Sequence, residues 1–177
     1  RTSVQLPGDS VARSFVYDAG DNLVASVDLN GARTTYVWDS CMLTAVVNPL
    51  NERTSYTYNR FRSRVTEMNP LGFVTTYEYD NMNRQTGVQN ALGNRSTVIY
   101  SGNRKVADMD ALGNRTTYNY DSGNRLESVM DPRNNLWTNI YDARDLVAQM
   151  DPLGNRSTSV FDAVGSRIAS VSPLGFR

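Results

Sequence analysis

The residues of this chain that could do chemistry are carboxylates. The sequence contains 18 Asp and Glu residues, no histidine and a single cysteine, Cys41. A Ser-His-Asp triad, a Cys-His dyad and a His- or Cys-rich metal site are therefore excluded within the chain. Carboxylates alone could form a close acid–base pair or a Ca²⁺ site made of hard oxygen ligands. Either site requires carboxylates that converge, so their spacing decides the question.

Polar residues follow aromatic residues at a regular interval. Eight such pairs, here called the aromatic–polar signature, recur at gaps of 20 or 21 residues: Tyr17-Asp18, Trp38-Asp39, Tyr58-Asn59, Tyr79-Asp80, Tyr100-Ser101, Tyr120-Asp121, Tyr141-Asp142 and Phe161-Asp162. Each loop supplies only one or two carboxylates, which suits a turn residue better than a catalytic or calcium-binding group. We therefore expect no enzyme activity, no catalytic residue, no metal and no cofactor.

A second polar residue lies ten positions before each later aromatic and opens a phrase of fixed length, such as DPLGNR at Asp151–Arg156. In such a phrase Asp or Asn caps a type I turn, proline presets φ and glycine takes positive φ. The phrase predicts a three-residue hairpin loop with a G1 bulge, here called the fixed turn. Its glycines are Gly31, Gly72, Gly93, Gly113, Gly154 and Gly175, and two copies carry Asn51 and Asn134 instead. The connection after each aromatic, here called the variable turn, differs by one residue between copies, so we expect it to be loosely constrained.

The segments between the turns are rich in Thr, Tyr and Val at period two, which predicts β-strands. Tyr36 and Trp38 would share a face of one strand, and Leu23, Ala25 and Val27 a face of its neighbour. The expected fold class is all-β, with tandem hairpins forming one long antiparallel sheet that coils because strands twist. Residues 1–16 would be a degenerate first strand or an N-terminal cap, and 17–177 an array of eight repeats of 20–21 residues.

The repeated pattern resembles the RHS/YD repeat. It runs from Tyr-Asp through a short loop and Leu-x-x-x-x-Asp to Pro-Leu-Gly-Asn-x-Thr-x-Tyr. Residues 17–39 (YDAGDNLVASVDLNGARTTYVWD) and 120–132 (YDSGNRLESVMDP) carry it most clearly, and the resemblance extends over essentially the whole chain. Such arrays occur in bacterial RHS toxins, in the cocoon of insecticidal toxin complexes and in teneurins. The resemblance implies a hollow β-shell, spiral or tube, and in toxins a shell that encloses an effector. The distinctive core segment of toxin-type arrays, associated with self-cleavage, has no candidate after Phe161.

Three hypotheses for function follow. The first is a non-catalytic structural segment of an extracellular or cell-surface shell, bacterial in origin, whose partners are further repeats and an enclosed effector or a surface ligand. The second is a self-assembling subunit of a surface filament, tube or layer that grows by pairing of strand edges. The third is an adhesin or carbohydrate-binding module that uses tyrosines beside arginines. Zero formal net charge argues against a nucleic-acid partner, and no apolar run is long enough to span a membrane.

Overall fold

The computed structural model describes the backbone of residues 3–4 and all of residues 13–176. The chain divides into two compact units, Arg1–Arg95 and Ser96–Arg177. The described residues form seventeen strands and no helix. The strands that begin in the first unit are β1 Ser3–Val4, β2 Arg13–Tyr17, β3 Leu23–Val27, β4 Arg33–Asp39, β5 Met42–Val47, β6 Arg53–Tyr58, β7 Arg64–Met68, β8 Val74–Tyr79, β9 Gln85–Gln89 and β10 Arg95–Ser101. Those of the second unit are β11 Arg104–Met109, β12 Arg115–Tyr120, β13 Leu126–Met130, β14 Leu136–Asp142, β15 Asp145–Met150, β16 Arg156–Phe161 and β17 Arg167–Val171.

Each strand pairs antiparallel with the next one along the chain within both units, from β1 to β9 and from β10 to β17. Thr, Tyr and Val at period two favour this extended conformation, and tight turns reverse the chain between strands. The prediction of an all-β fold built from tandem antiparallel hairpins is confirmed. The proposed division at residue 16 stays a prediction, because residues 1–2 and 5–12 lie outside the described part.

The two kinds of strand pair differ in length. Within a repeat, the pair joined by a variable turn has four or five residue pairs, as in β2–β3 and β4–β5. Between repeats, the pair joined by a fixed turn has three, as in β3–β4, where the ladder stops at Ala25 opposite Thr35. Residues Leu23 and Val24 of β3 therefore have no ladder partner in β4, although β4 continues to Asp39.

Each repeat contains a β-bulge that the sequence did not predict. In β2–β3, Val16 pairs with Ala25 and Tyr17 with Leu23, which leaves Val24 as the extra residue. The extra residues of the other repeats are Thr44, Val65, Thr86, Val106, Glu127, Val147 and Ile168. A bulge interrupts the alternation of side chains, so the period-two assignment of Leu23 and Ala25 to one face does not extend across Val24.

The buried core consists of small residues that directly follow the bulges. Ala25, Ala45 and Ala107 are fully buried and Ala148 nearly so, and Gly87 and Ser128 occupy the same position in their repeats. No large side chain among the described residues is fully buried. The signature aromatics from Trp38 to Phe161 are half-buried rather than enclosed, and Tyr17 is exposed.

Candidate functional site: the aromatic–polar signature

The polar residue of the signature folds its own turn. The backbone N–H of Asp18 donates to the carbonyl of Asn22 at 3.0 Å, and Asp21, at φ 61°, donates its N–H back to the Asp18 carbonyl. The Asp18 Oδ1 atom accepts the N–H groups of Gly20 at 2.8 Å and Asn22 at 2.9 Å. This is a type I turn closed by a residue with positive φ. The Asp18 carboxylate is therefore committed to backbone donors of the turn.

The same geometry occurs in the fixed turns, which connect the strands at their opposite ends. In the turn after β11, Asp110 Oδ1 accepts the N–H groups of Leu112 and Asn114, and Gly113 has φ 84°. All six expected turn glycines have φ between 81° and 84°. Asn51 and Asn134 hold the equivalent position at φ 63° and 64°.

Three variable turns take a different, shorter form. Each of these loops contains only two residues: Ser40-Cys41, Gly102-Asn103 and Ala143-Arg144. In each loop the first residue has positive φ and the second does not. These are the three copies in which the repeat is one residue shorter. The variable turn is thus one of two tight turns and not a loosely constrained loop, because removal of one residue converts one closed hydrogen-bonded turn into another.

The short turns also correct the expected role of two signature residues. A polar residue that follows the last aromatic of a strand is well placed to accept backbone N–H groups of the next loop, but Asp39 and Asp142 do not accept them. Instead, each ends its strand and pairs across the hairpin, Asp39 with Met42 and Asp142 with Asp145. In the longer turn the carboxylate accepts the N–H groups two and four residues further on, as Asp18 does from Gly20 and Asn22, whereas a two-residue loop ends before the fourth residue.

The aromatic residue of the signature binds the preceding repeat. The Tyr58 hydroxyl donates to the Leu43 carbonyl at 2.7 Å, and the Trp38 indole N–H donates to the Leu23 carbonyl at 2.8 Å. We call this contact the inter-repeat bond; it always spans 15 residues. The other examples are Tyr79 to Arg64 at 2.8 Å, Tyr120 to Lys105 at 2.9 Å and Tyr141 to Leu126 at 3.0 Å. Phe161 lacks the hydroxyl that would reach the Leu146 carbonyl.

The strand pairing explains where the inter-repeat bond forms. The Lys105 carbonyl belongs to a residue of β11 that has no ladder partner in β12, because that ladder ends at Ala107 opposite Thr117. The next residue, Val106, is the bulged one. Backbone polar groups away from bulk water need a partner, and the side chain of Tyr120 supplies it. The sequence marks the aromatic by its period, but the bulged residue that fixes its acceptor is an ordinary strand residue, and only the small residue after it marks the position.

A second set of tyrosines, two residues before the signature aromatics, contacts charged side chains. The Arg64 guanidinium carbon lies 5.5 Å from the ring centroid of Tyr56 and 4.8 Å from that of Tyr77. Arg64 also pairs with Glu67 at 3.0 Å, and the Tyr77 hydroxyl donates to the same carboxylate at 3.3 Å. Burial raises the pKa of both tyrosine hydroxyls. Arginine and tyrosine thus join neighbouring repeats through stacking and charge, which is the packing role expected of this pair.

The turn carboxylates are held in their charged form. The pKa of Asp110 lies below its ordinary value because the Asn114 side chain and the Asn114 backbone N–H donate to it. The Asn155 side chain lowers the pKa of Asp151 in the same way. The pKa of Asp121 is also lowered, first of all by the hydrogen bond from the backbone N–H of Arg125. A general acid at neutral pH needs the opposite shift. These carboxylates are therefore built for turn formation.

The described part of the chain contains no cluster of metal-ligating side chains. Among residues 13–176 no group of three or more His, Cys, Asp and Glu side chains could hold a metal ion. Cys41 is exposed in its two-residue turn and forms no disulfide. No helix in the described segments is long and apolar enough to cross a membrane.

Fold and signature together define a class of protein: an array of antiparallel hairpins in which each repeat bonds to the one before it. Residues 62–95 match the RHS repeat family model. The resemblance to the RHS/YD repeat is thereby confirmed, with the match itself covering that one segment. No curated protein matches the chain at the sequence level.

Solved structures of similar fold include toxin-complex proteins. The crystal structure of TcdB2-TccC3-Cdc42 has a TM-score of 0.61 and 12% sequence identity, over 96% of this chain and 11% of that one. The Tc holotoxin pore of Photorhabdus luminescens has a TM-score of 0.60 and 12% identity, with the same coverage. The crystal structure of TcdB2-TccC3-TEV has a TM-score of 0.52 and 15% identity, over 90% and 12%. The chain thus spans about a ninth of the length of these proteins, and the likeness establishes the fold.

Proposed function

We propose that this chain is a non-catalytic structural segment of an RHS/YD-repeat shell or scaffold, extracellular or on the surface of a bacterium, that encloses or displays another module. The observation that carries the proposal is the inter-repeat bond. Five signature aromatics use their polar atoms to bind the preceding repeat, in both units of the chain: Trp38, Tyr58, Tyr79, Tyr120 and Tyr141.

The turn carboxylates accept hydrogen bonds from their own turns, which supports a role without catalysis. Asp18, Asp80 and Asp121 each accept backbone N–H groups of their own turns. The aromatic–polar signature and the turn glycines are then structural residues. The partners are further repeats of the same kind, together with an enclosed effector or a surface ligand.

The fold likeness to toxin-complex proteins supports the shell within this class. Those proteins are many times longer than this chain, and a sheet made of repeats extends by adding hairpins, each of which contacts only its neighbours. Because extended sheets twist and coil, an array of this kind can wrap around a space.

Electron microscopy of the native protein that contains this chain tests the proposal, with light scattering on the purified 177-residue chain as a companion measurement. The proposal predicts a closed hollow particle in the native material and no fibre formation by the chain. Long filaments or tubes with a regular rise would instead establish the self-assembling subunit.

A polar groove in the second unit favours a binding module as a second candidate function. The groove measures about 810 Å³, and Tyr118, Tyr120, Asn119 and Glu127 are among the residues that line it. Tyrosines beside amide and carboxylate groups suit a saccharide. A glycan-binding screen with the wild-type chain and Glu127→Gln tests this function. Binding lost in the variant supports the function, and no binding by wild type excludes it for the glycans screened.

A further inference from the structure

Strand β14 carries a tryptophan where the other repeats carry Thr or Ser. The position lies four residues before the signature aromatic, and β14 has Trp137 there. From β4 onward the equivalent residues of the other repeats are Thr34, Thr54, Thr75, Ser96, Thr116 and Ser157. Those repeats fold without an aromatic at this position, so the fold does not require Trp137. Its side chain is 44% exposed, and exposed tryptophan is typical of binding sites.

The face of the sheet beside Trp137 also lacks the tyrosines of the earlier repeats. These tyrosines, two residues before the signature aromatic, are Tyr36, Tyr56, Tyr77 and Tyr118, whereas β14 has Asn139 and β16 has Ser159. Trp137 and Asn139 share a face because they are two residues apart. Asn139 pairs with Gln149 of β15, and Gln149 pairs with Ser157 of β16, so these residues lie on that face too. Small polar side chains thus replace large rings next to the tryptophan.

A recess of about 190 Å³ opens beside this tryptophan, here called the Trp137 recess. Residues that line it include Trp137 itself, Gln149, Asp151, Asn155 and Pro173. Asp151 and Asn155 belong to the fixed turn after β15, and Pro173 to the fixed turn after β17. The recess therefore lies at the end of the strands where the fixed turns project, within the second unit of the chain.

The polar groups of the recess are mainly hydrogen-bond acceptors. Gln149 Nε2 donates to Asn139 Oδ1 at 3.0 Å, and Asn155 Nδ2 donates to Asp151 Oδ2 at 2.8 Å. The side-chain carbonyl oxygens of Gln149 and Asn155 accept no hydrogen bond from the described residues. Asp151 is the one charged residue among those lining the recess. The Asn155 side chain lowers its pKa, so the carboxylate is charged at neutral pH. Arg156 alternates to the opposite face of β16.

The Trp137 ring has no cation over it from the chain itself. On the corresponding face of the first unit, the Arg64 guanidinium carbon lies 5.5 Å from the ring centroid of Tyr56 and 4.8 Å from that of Tyr77. Within the described residues no arginine or lysine lies over Trp137, and its indole N–H donates to no group. Tryptophan binds cations more strongly than the other aromatic residues do. Ring, carboxylate and acceptors together therefore suit a cationic ligand that donates hydrogen bonds.

We propose that the Trp137 recess binds the guanidinium group of an arginine side chain on a partner polypeptide. The guanidinium plane stacks on the indole ring, and its N–H groups donate to the Asp151 carboxylate and to the amide oxygens of Gln149 and Asn155. Guanidinium fits better than ammonium because it is planar and presents several donors at its edge. One such contact gives a dissociation constant of about 1–10 mM for an isolated arginine residue. The site is independent of the proposed shell function.

NMR of the 177-residue chain measures this binding directly, because its two tryptophans give two indole N–H signals. Trp38 is an internal control, since its indole N–H donates to the Leu23 carbonyl. The probe is N-acetylarginine N-methylamide, added to about 50 mM at constant ionic strength. The Trp137 signal should shift to saturation while the Trp38 signal stays in place. The corresponding citrulline derivative, which is neutral, should bind at least ~10-fold more weakly.

The test variants use residues that the chain already accepts at equivalent positions. Trp137→Thr copies the residue of β12, Thr116, and should abolish the shifts of backbone signals around the recess. Asp151→Asn copies the fixed turn opened by Asn69 and should weaken binding about five- to tenfold, because it removes the charge. The matched control is Asp110→Asn, in a repeat without tryptophan, which should leave the affinity unchanged. Circular dichroism verifies that the variants remain folded.

Three results would overturn the proposal. The first is a Trp137 signal that does not move at the highest concentration of the arginine probe. The second is equal binding of the arginine and citrulline probes, or equal weakening by Asp151→Asn and Asp110→Asn. The third is a shift of the Trp137 signal with glucose but not with the arginine probe, which would make the recess a saccharide site.

Discussion

Removal of a single hydroxyl tests whether the inter-repeat bond holds neighbouring repeats together. In Tyr120→Phe the ring stays in place while the 2.9 Å hydrogen bond to the Lys105 carbonyl is lost. That carbonyl belongs to a residue without a ladder partner in β12. A net hydrogen bond contributes about 1 kcal/mol to stability. For a chain of this size such a loss lowers the midpoint of thermal unfolding by about 2–4 °C.

The assay is thermal and urea unfolding of the 177-residue chain, followed by far-UV circular dichroism. Tyr56→Phe is the matched control, because among the described residues the Tyr56 hydroxyl makes no hydrogen bond, while its ring stacks with Arg64. The reverse change, Phe161→Tyr, should stabilise the chain, since it adds the missing donor opposite the Leu146 carbonyl. Equal midpoints for Tyr120→Phe and the wild type would refute the argument, as would an equal loss in the Tyr56→Phe control.

Three further predictions concern the turns. Gly113→Val and Gly154→Val should each destabilise the chain by at least ~1 kcal/mol. Because φ is 84° at both positions and no atom within 4 Å would meet the new Cβ, backbone strain is the cause. Unchanged unfolding midpoints would contradict this prediction. Ala143→Gly should stabilise the chain by about 0.5 kcal/mol, since Ala143 has φ 47° in a two-residue turn. A lower midpoint of urea unfolding in this variant would show that the reasoning is wrong. The lowered pKa of Asp110 and Asp151 predicts stability that is fully present above the ordinary Asp pKa and lost as pH falls through the lower folded value. Melting curves from pH 7 to pH 2 should therefore fall less steeply for Asp110→Asn with Asp151→Asn than for the wild type, and parallel profiles would exclude this source of acid sensitivity.

The sequence is sufficient to predict the turns because their constraints are local. Proline and glycine restrict φ within four residues, so the phrase at Asp151 predicts a type I turn with positive φ, and Gly154 has φ 84°. The strands follow from period two and from the tight turns that separate them. The same reasoning failed at the variable turns, where loss of one residue changes the turn type and removes Asp39 and Asp142 from capping.

The bulges and the inter-repeat bond could not be predicted, because they depend on contacts between strands. Val24 and Thr44 are bulged, yet each is a β-branched residue in an ordinary strand sequence. The small residue that follows, Ala25 or Ala45, is the one available signal. A small residue recurs seven or eight residues after the aromatic in seven of the eight repeats, and Ala25 and Ala45 are fully buried.

Amide hydrogen exchange by NMR on the wild-type chain and on Tyr120→Phe tests most directly whether the signature aromatic binds one repeat to the previous one. The account predicts faster exchange confined to β11, β12 and β13, because Tyr120 in β12 joins its own repeat to the Lys105 carbonyl in β11, and in repeat proteins stability is coupled mainly between nearest neighbours. Exchange at β15–β17 should stay unchanged. Identical exchange in the two proteins throughout β11–β13 would contradict the account.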